Sequence, residues 1–278
     1  MLVYHNGCWL EESKVTILLL DHGYLFGYGL FETLACFKGR VLYLKEHLQR
    51  LKKGLKILKI PLDVDNAAIQ KAIYQTLKLN GLTQGYVKLL ISPVGWDLGA
   101  DALYQETNFF IIAKPHQLYP KKYYTHGAKA YLVDNLRIHH DYLSQVKMLN
   151  YGRPYFARKI AKNKKVVDVL MKDVTGHPVE GSSSNLFIIN DKNHILTPPL
   201  SSGILAGVTR DKVMLLCKRL KMPIHEKLFS TQDLFNAKEV FITSSLKQIM
   251  PITRINGKKI GSGKVGAITQ QLIKHFNV

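Results

Sequence analysis

The 278-residue chain predicts an α/β (α+β) fold in two domains. Three observations carry this. Throughout the second half, short runs rich in β-branched and aromatic residues alternate with segments of helical period. In the first half, two segments place leucine and isoleucine on one helical face. Between the halves, residues 115–126 (PHQLYPKKYYTH) show no period and hold two prolines, the composition of an interdomain linker.

The elements follow in order. Met1 to Leu10 alternate apolar and polar types, which reads as a strand and not as a signal peptide. A tight glycine-rich turn comes next. Residues 45–60 carry Leu48, Leu51, Leu55 and Leu58, spaced three, four and three, as on one face of an amphipathic helix. Residues 66–79 repeat the pattern with Ile69, Ile73 and Leu77. Tyr86–Ser92 and Asn108–Ala113 read as buried strands. In the second half, strands are expected at 128–133, 166–171, 185–190 and 238–243, and helices at 154–163, 208–221 and 264–276. The expected division is a smaller N-terminal α/β domain over 1–116, a linker over 117–126 and a larger C-terminal domain over 127–278. A cleft between two such domains is a usual place for a small-molecule site.

Composition narrows the function classes. Hydrophobic residues make up 46% and charged residues 21%, as in ordinary globular proteins. No stretch is long and apolar enough to span a bilayer. Cys8, Cys36 and Cys217 form no CxxC pair, so neither a metal site nor a disulfide frame is expected, and a reducing cytoplasm is the default compartment. Net charge is +19, from 39 Lys+Arg less 20 Asp+Glu. A non-catalytic nucleic-acid-binding protein is the reading this charge alone would favour. The cations are scattered, however, as in Lys52-Lys53, Lys121-Lys122, Lys164-Lys165 and Lys258-Lys259, with no zinc-finger spacing or RNA-binding aromatic motif. Solvated surface is the simpler reading, so no specific nucleic acid is expected. A positive field also speeds encounter with a small anionic substrate.

Several segments carry chemistry. Gly203 to Arg210 (GILAGVTR) runs a glycine turn into a helix expected to begin near Thr209. A helix N-terminus suits a phosphate, and Thr209 can cap the helix or give its hydroxyl to the anion; a plain cap explains the segment as well. Thr243-Ser244-Ser245 follows an apolar strand and suits either an anion or a turn. Arg50, in HLQRL, lies beside an apolar helical stripe, where a guanidinium often has a fixed anionic partner or keeps its head in water. Lys147 lies among Val146, Met148 and Leu149. Apolar surroundings favour a neutral amine, which is able to form an imine. Glu180, in VEGSSSNLF, precedes a buried strand, where a carboxylate can pair with a protonated ring nitrogen or serve structure.

Taken in order, Asp21 to Thr33 (DHGYLFGYGLFET), HLQR, VKMLNY, EGSSSNLF, GILAGVTR and a strand ending in TSS resemble the class IV aminotransferases, the fold-type IV pyridoxal-phosphate enzymes. The resemblance runs from Asn6-Gly7 to Ile260-Gly-Ser-Gly263. It implies pyridoxal 5'-phosphate as cofactor, with Lys147 as imine lysine and proton shuttle and Glu180 as partner of the pyridine nitrogen. It further implies Arg50 as phosphate partner, Val208 and Thr209 as phosphate cup, Leu205 against the ring face, and Ser244 and Ser245 on the phosphate and the substrate carboxylate. Phe31, Arg137 and Trp96 are candidates on the substrate side. A homodimer that shares residues between active sites is also implied.

Within the family, three departures bear on substrate. Transaminases usually carry Arg-Gly in the segment that here reads Ile91-Ser-Pro93-Val94-Gly. The Arg and His with which D-amino-acid aminotransferases hold a carboxylate are absent between Ser92 and Tyr104. The run after the TSS strand, Leu246 to Pro251 (LKQIMP), is similar to the Leu-x-x-x-Met-Pro pattern of 4-amino-4-deoxychorismate lyases. The expectation is therefore that lyase activity, an elimination giving 4-aminobenzoate and pyruvate for folate biosynthesis. The alternative is a transaminase for D- or branched-chain amino acids.

Overall fold

A computed structural model describes residues 1–95 and 106–276. Two units of contacting residues make it up. The first is Met1–Leu118 with Val146–Tyr151, and the second is Tyr119–Gln145 with Gly152–Val278.

The first unit is built of β1 (Leu2–His5), β2 (Cys8–Glu11), α1 (His22–Phe26), β3 (Leu30–Phe37), β4 (Arg40–Val41), α2 (Leu44–Leu58), α3 (Asn66–Leu79), β5 (Gly85–Val94) and β6 (Glu106–Lys114). Its sheet has the order β2-β1-β6-β5-β3-β4. Strand alternation divides the residues. Leu30, Leu34, Val87, Leu89, Ile91, Phe109 and Ile111 enter a core with Leu48, Leu51, Leu55 and Leu58 of α2 and Ile69, Ile73 and Leu77 of α3. Burying each such side chain stabilises by about 1.5–3 kcal/mol relative to exposure. The opposite residues of the same strands, among them Phe31, Thr33, Lys88 and Leu90, therefore share the sheet's other face, where Phe31 lies opposite Leu90 and Thr33 opposite Lys88. Both expected helices and both expected strands are present, each strand longer by one residue at one end and two at the other.

The second unit contains α4 (Lys121–Thr125), β7 (Ala128–Ile138), α5 (Gly152–Lys164), β8 (Asp168–Asp173), β9 (Pro178–Gly181), β10 (Ser184–Ile189), β11 (Ile195–Thr197), α6 (Val208–Arg219), β12 (Ile224–Glu226), α7 (Thr231–Asn236), β13 (Glu239–Ser244), β14 (Gln248–Ile255), β15 (Lys258–Lys259) and α8 (Ala267–His275). The central strands are covered on both faces, so they read as nearly unbroken apolar runs. Phe187, Ile189 and Phe241 join Val213 and Leu216 of α6 and Leu272 of α8. Leu186, Ile188, Val240 and Ile242 join Phe229 and Leu234 on the other face.

Two features of the middle of the chain were not read from sequence. Within the segment expected to link the domains, Lys121–Thr125 is helical, and Tyr119, Tyr123 and Tyr124 pack against the second core. One helical turn is too short to show a period. Val146–Tyr151, which contains Lys147, belongs to the first unit because its backbone bonds to β3. Strand β14 was not read from sequence, and Pro251 within it argues locally against a strand. The lysine pairs singled out above are exposed, as expected of solvated surface. Among the described residues no helix is long and apolar enough to cross a membrane.

Candidate active site

In the first unit, the segment bearing Lys147 runs against the start of β3. The Phe31 amide donates to the Lys147 carbonyl at 2.9 Å, and the Leu149 amide donates to the Gly29 carbonyl at 2.9 Å. Leu30 and Met148 form a bridge between these bonds. The approach needs a glycine, because a Cβ at Gly29 would collide with the Ile91 carbonyl and the Leu149 side chain. The Lys147 Nζ lies 4.4 Å from the Phe31 ring centroid and 5.6 Å from that of Tyr151. The two rings meet edge to face at 5.2 Å. A second ammonium, of Lys88, lies 4.7 Å from the same Phe31 ring. Neither Lys88 nor Tyr151 was singled out from sequence. The alternation that sets Lys88 and Phe31 on one face could have found the first, and the motif VKMLNY contains the second.

Arg50 has a fixed anionic partner, and it is Glu32. Arg50 donates through Nε to Oε1 and through one Nη to Oε2, both at 2.7 Å. The His47 Nδ1 lies 2.7 Å from the same Oε2. Glu32 is on the core-facing side of β3 and is 1% exposed. Burial alone raises its pKa. The Arg50 charge and fork and the His47 contact overcome this and bring it down to about 2. A bidentate carboxylate fixes the plane of the guanidinium, and the side chain remains only 13% exposed.

In the second unit, Glu180 of β9 lies opposite Asn185 of β10. The Glu180 Oε2 accepts from the Leu205 amide at 3.1 Å, and the Asn185 Nδ2 donates to the Leu205 carbonyl at 2.9 Å. Two motif side chains thus clamp the backbone of Leu205. Helix α6 starts at Val208 with Gly207 as its N-cap. Of the two roles open to Thr209, the cap is therefore taken by Gly207, and Thr209 lies within the first turn. A side chain at the cap has no room, since a Cβ on Gly207 would collide with the Asn185 Oδ1.

Asn185 is also opposite Thr243 in the sheet. The Thr243 Oγ1 is buried and has no hydrogen-bond partner among the described residues. Ser244 ends β13, Ser245 follows it, and both are half-buried. An uncommitted hydroxyl in the same sheet row as the residue beneath a helix N-terminus is a donor of the kind suited to a phosphate. Leu205 is half-buried, and Val208 and Thr209 are buried. Arg137 donates to the Asp173 carbonyl at 3.3 Å. Trp96 lies outside the described residues.

Comparison with known proteins places the chain in a family. Residues 29–255 match the family described as amino-transferase class IV. A protein of Methanocaldococcus jannaschii, provisionally named a branched-chain-amino-acid aminotransferase, is 34% identical, over 99% of this chain and 95% of its own. A D-alanine aminotransferase of Bacillus licheniformis is 31% identical, over 98% and 94%. The crystal structure of the branched-chain amino acid aminotransferase of Escherichia coli superposes with a TM-score of 0.91 at 25% identity, over 99% of this chain and 93% of that one. A provisionally named 4-amino-4-deoxychorismate lyase of Legionella pneumophila superposes at 0.87 with 24% identity, over 96% of each chain, a likeness of fold alone. The chain belongs to the class IV aminotransferases, and its fold is that of the fold-type IV enzymes.

Proposed function

We propose that this protein is an amino-acid transaminase of class IV that works with pyridoxal 5'-phosphate. The observation that carries the reading is the match along nearly the whole chain to enzymes named as branched-chain and D-alanine aminotransferases. The cofactor is that of the family. Arg50, the first turn of α6 at Val208 and Thr209, and Ser244 and Ser245 would hold its phosphate. Glu180 would keep the ring nitrogen protonated, with its carboxylate oriented by the Leu205 amide. When bound, the cofactor supplies an electron-withdrawing ring that takes up charge as the substrate loses a proton. Lys147 accepts and returns that proton at Nζ, held in place through its own carbonyl by β3 and flanked by the Phe31 and Tyr151 rings. The Lys88 ammonium beside Phe31 supports an anionic substrate and stands as a candidate for the charge absent at Pro93.

A second reading, the lyase expected from sequence, is favoured by Leu246, Met250-Pro251, Pro93 and the absence of Arg and His between Ser92 and Tyr104. One assay separates the two. A transaminase must complete two half-reactions and needs a keto acid; a lyase turns over without one. Leucine or D-alanine with 2-oxoglutarate should react at rates typical of enzymes, on the order of 1 per second or more. Sustained release of 4-aminobenzoate and pyruvate from aminodeoxychorismate without a keto acid, together with no amino transfer, would move the assignment to the lyase. A homodimer belongs to the same proposal, supported by Ile17, Leu18, Leu19, Tyr24 and Phe26, which expose their apolar side chains. So does the reducing cytoplasm, supported by three free cysteines.

A further inference from the structure

On the sheet face opposite Glu180 lies a buried ionic cluster that the reaction does not use. Asp168 opens β8, Ser182 and Ser183 form the turn from β9 to β10, Ser184 opens β10, and Lys247 lies in the turn from β13 to β14. The Lys247 Nζ lies 2.6 Å from the Ser183 Oγ and 3.2 Å from the Asp168 Oδ2. Asp168 also accepts from the Ser182 amide at 3.0 Å, the Ser182 hydroxyl at 2.5 Å and the Ser184 hydroxyl at 2.7 Å. Lys247, Asp168, Ser182 and Ser184 are all buried. The backbone of Lys247 is held as well. Its amide donates to the Ser244 Oγ at 3.2 Å, and its carbonyl accepts from the Tyr124 hydroxyl at 3.1 Å.

A lysine taken fully out of water is costly unless it is paired, and a hydrophobic residue there would only have to fill space. What the ammonium adds is a geometric tie. It joins the turn that directly follows Glu180 to the turn that carries Ser244 and Ser245, and both are anchored on one carboxylate. Burial alone raises the Asp168 pKa; the Lys247 charge, then the serine hydroxyls, outweigh it and hold the carboxyl below its ordinary range.

We propose that Lys247 is a positioning residue for the anion-binding turn Ser244–Ser245, fixing its distance from the turn after Glu180 so that its donors converge on a phosphate. This rests on the cofactor reading above. The test compares pyridoxal 5'-phosphate with pyridoxal, which lacks the phosphate, by titrating the absorbance of each complex. Removing Lys247 alone strands a buried carboxylate, so the variant is the neutral pair Asp168→Asn with Lys247→Met. Ser183→Ala, which removes the direct contact of the ammonium with the turn and one of the hydroxyls on Asp168 and leaves the ion pair, is the second. Affinity for pyridoxal phosphate should fall about tenfold in the pair and several-fold in Ser183→Ala, with affinity for pyridoxal unchanged in both. Equal losses for the two ligands would show a merely structural role, and no loss for either would show none; each result overturns the proposal. If the pair fails to fold, Ser183→Ala decides by the same criteria. Wild-type protein that binds neither ligand overturns the cofactor reading and this inference with it, whereas wild-type binding with unaltered variants overturns this inference alone.

Discussion

The Phe31 amide donates to the Lys147 carbonyl at 2.9 Å, and the Phe31 ring lies 4.4 Å from the Lys147 amine. One residue of β3 thus holds the lysine at both its backbone and its tip. These residues are 116 positions apart in the chain, and the segment around Lys147 leaves the second unit to make the contact. A reactive amine anchored on a central strand has little freedom to drift from its working position, which is what proton transfer requires.

Lys147→Ala removes the only amine placed at the Phe31 and Tyr151 rings on this segment. The variant should lose the visible band of the bound cofactor and all turnover. Borohydride reduction of the wild type, followed by peptide mapping, should label Lys147; label on Lys88 instead would overturn the assignment.

Glu180→Gln keeps the shape that receives the Leu205 amide and removes the negative charge. The expected result is retained cofactor with activity down by at least about a hundredfold, the scale of lost acid–base assistance. Near-normal kcat would take Glu180 out of the mechanism.

Arg50→Ala leaves the buried Glu32 carboxylate without its bidentate partner. Breaking such a pair costs on the order of 3–5 kcal/mol. Both stability in urea and affinity for the cofactor should fall. Lost stability with unchanged cofactor affinity would confine Arg50 to a structural role with Glu32.

Glu32 also sets an acid limit. In the folded chain its pKa is about 2, against an ordinary value of 4.5. The unfolded chain therefore takes up the proton first as pH falls. The stability from this group is complete above about pH 4.5 and drains away toward pH 2, a difference on the order of 3 kcal/mol. Urea midpoints measured from pH 6 down to pH 3 should decline more steeply in the wild type than in Glu32→Gln. Parallel slopes would mean that Glu32 has no lowered pKa.

The sequence by itself determined the main elements and the family. The leucines at 48, 51, 55 and 58 and the apolar runs at 185–190 and 238–243 make their periods visible locally, since burial on one face or two leaves a direct record in residue order. Lys147, Glu180, the GILAGVTR turn and the TSS strand end stand out as candidates for a different reason. Their chemistry is carried by residue type at a fixed order. The tertiary structure alone decided which partners these residues have. That Arg50 answers to Glu32, that Glu180 and Asn185 hold Leu205 from two sides, and that Lys247 ties two turns to Asp168 depend on strand register and on contacts across long separations. No local period records such a pairing. The same holds for α4 and the chain just before it, where Tyr119, Tyr123 and Tyr124 are half-buried only because the second core is there to receive them.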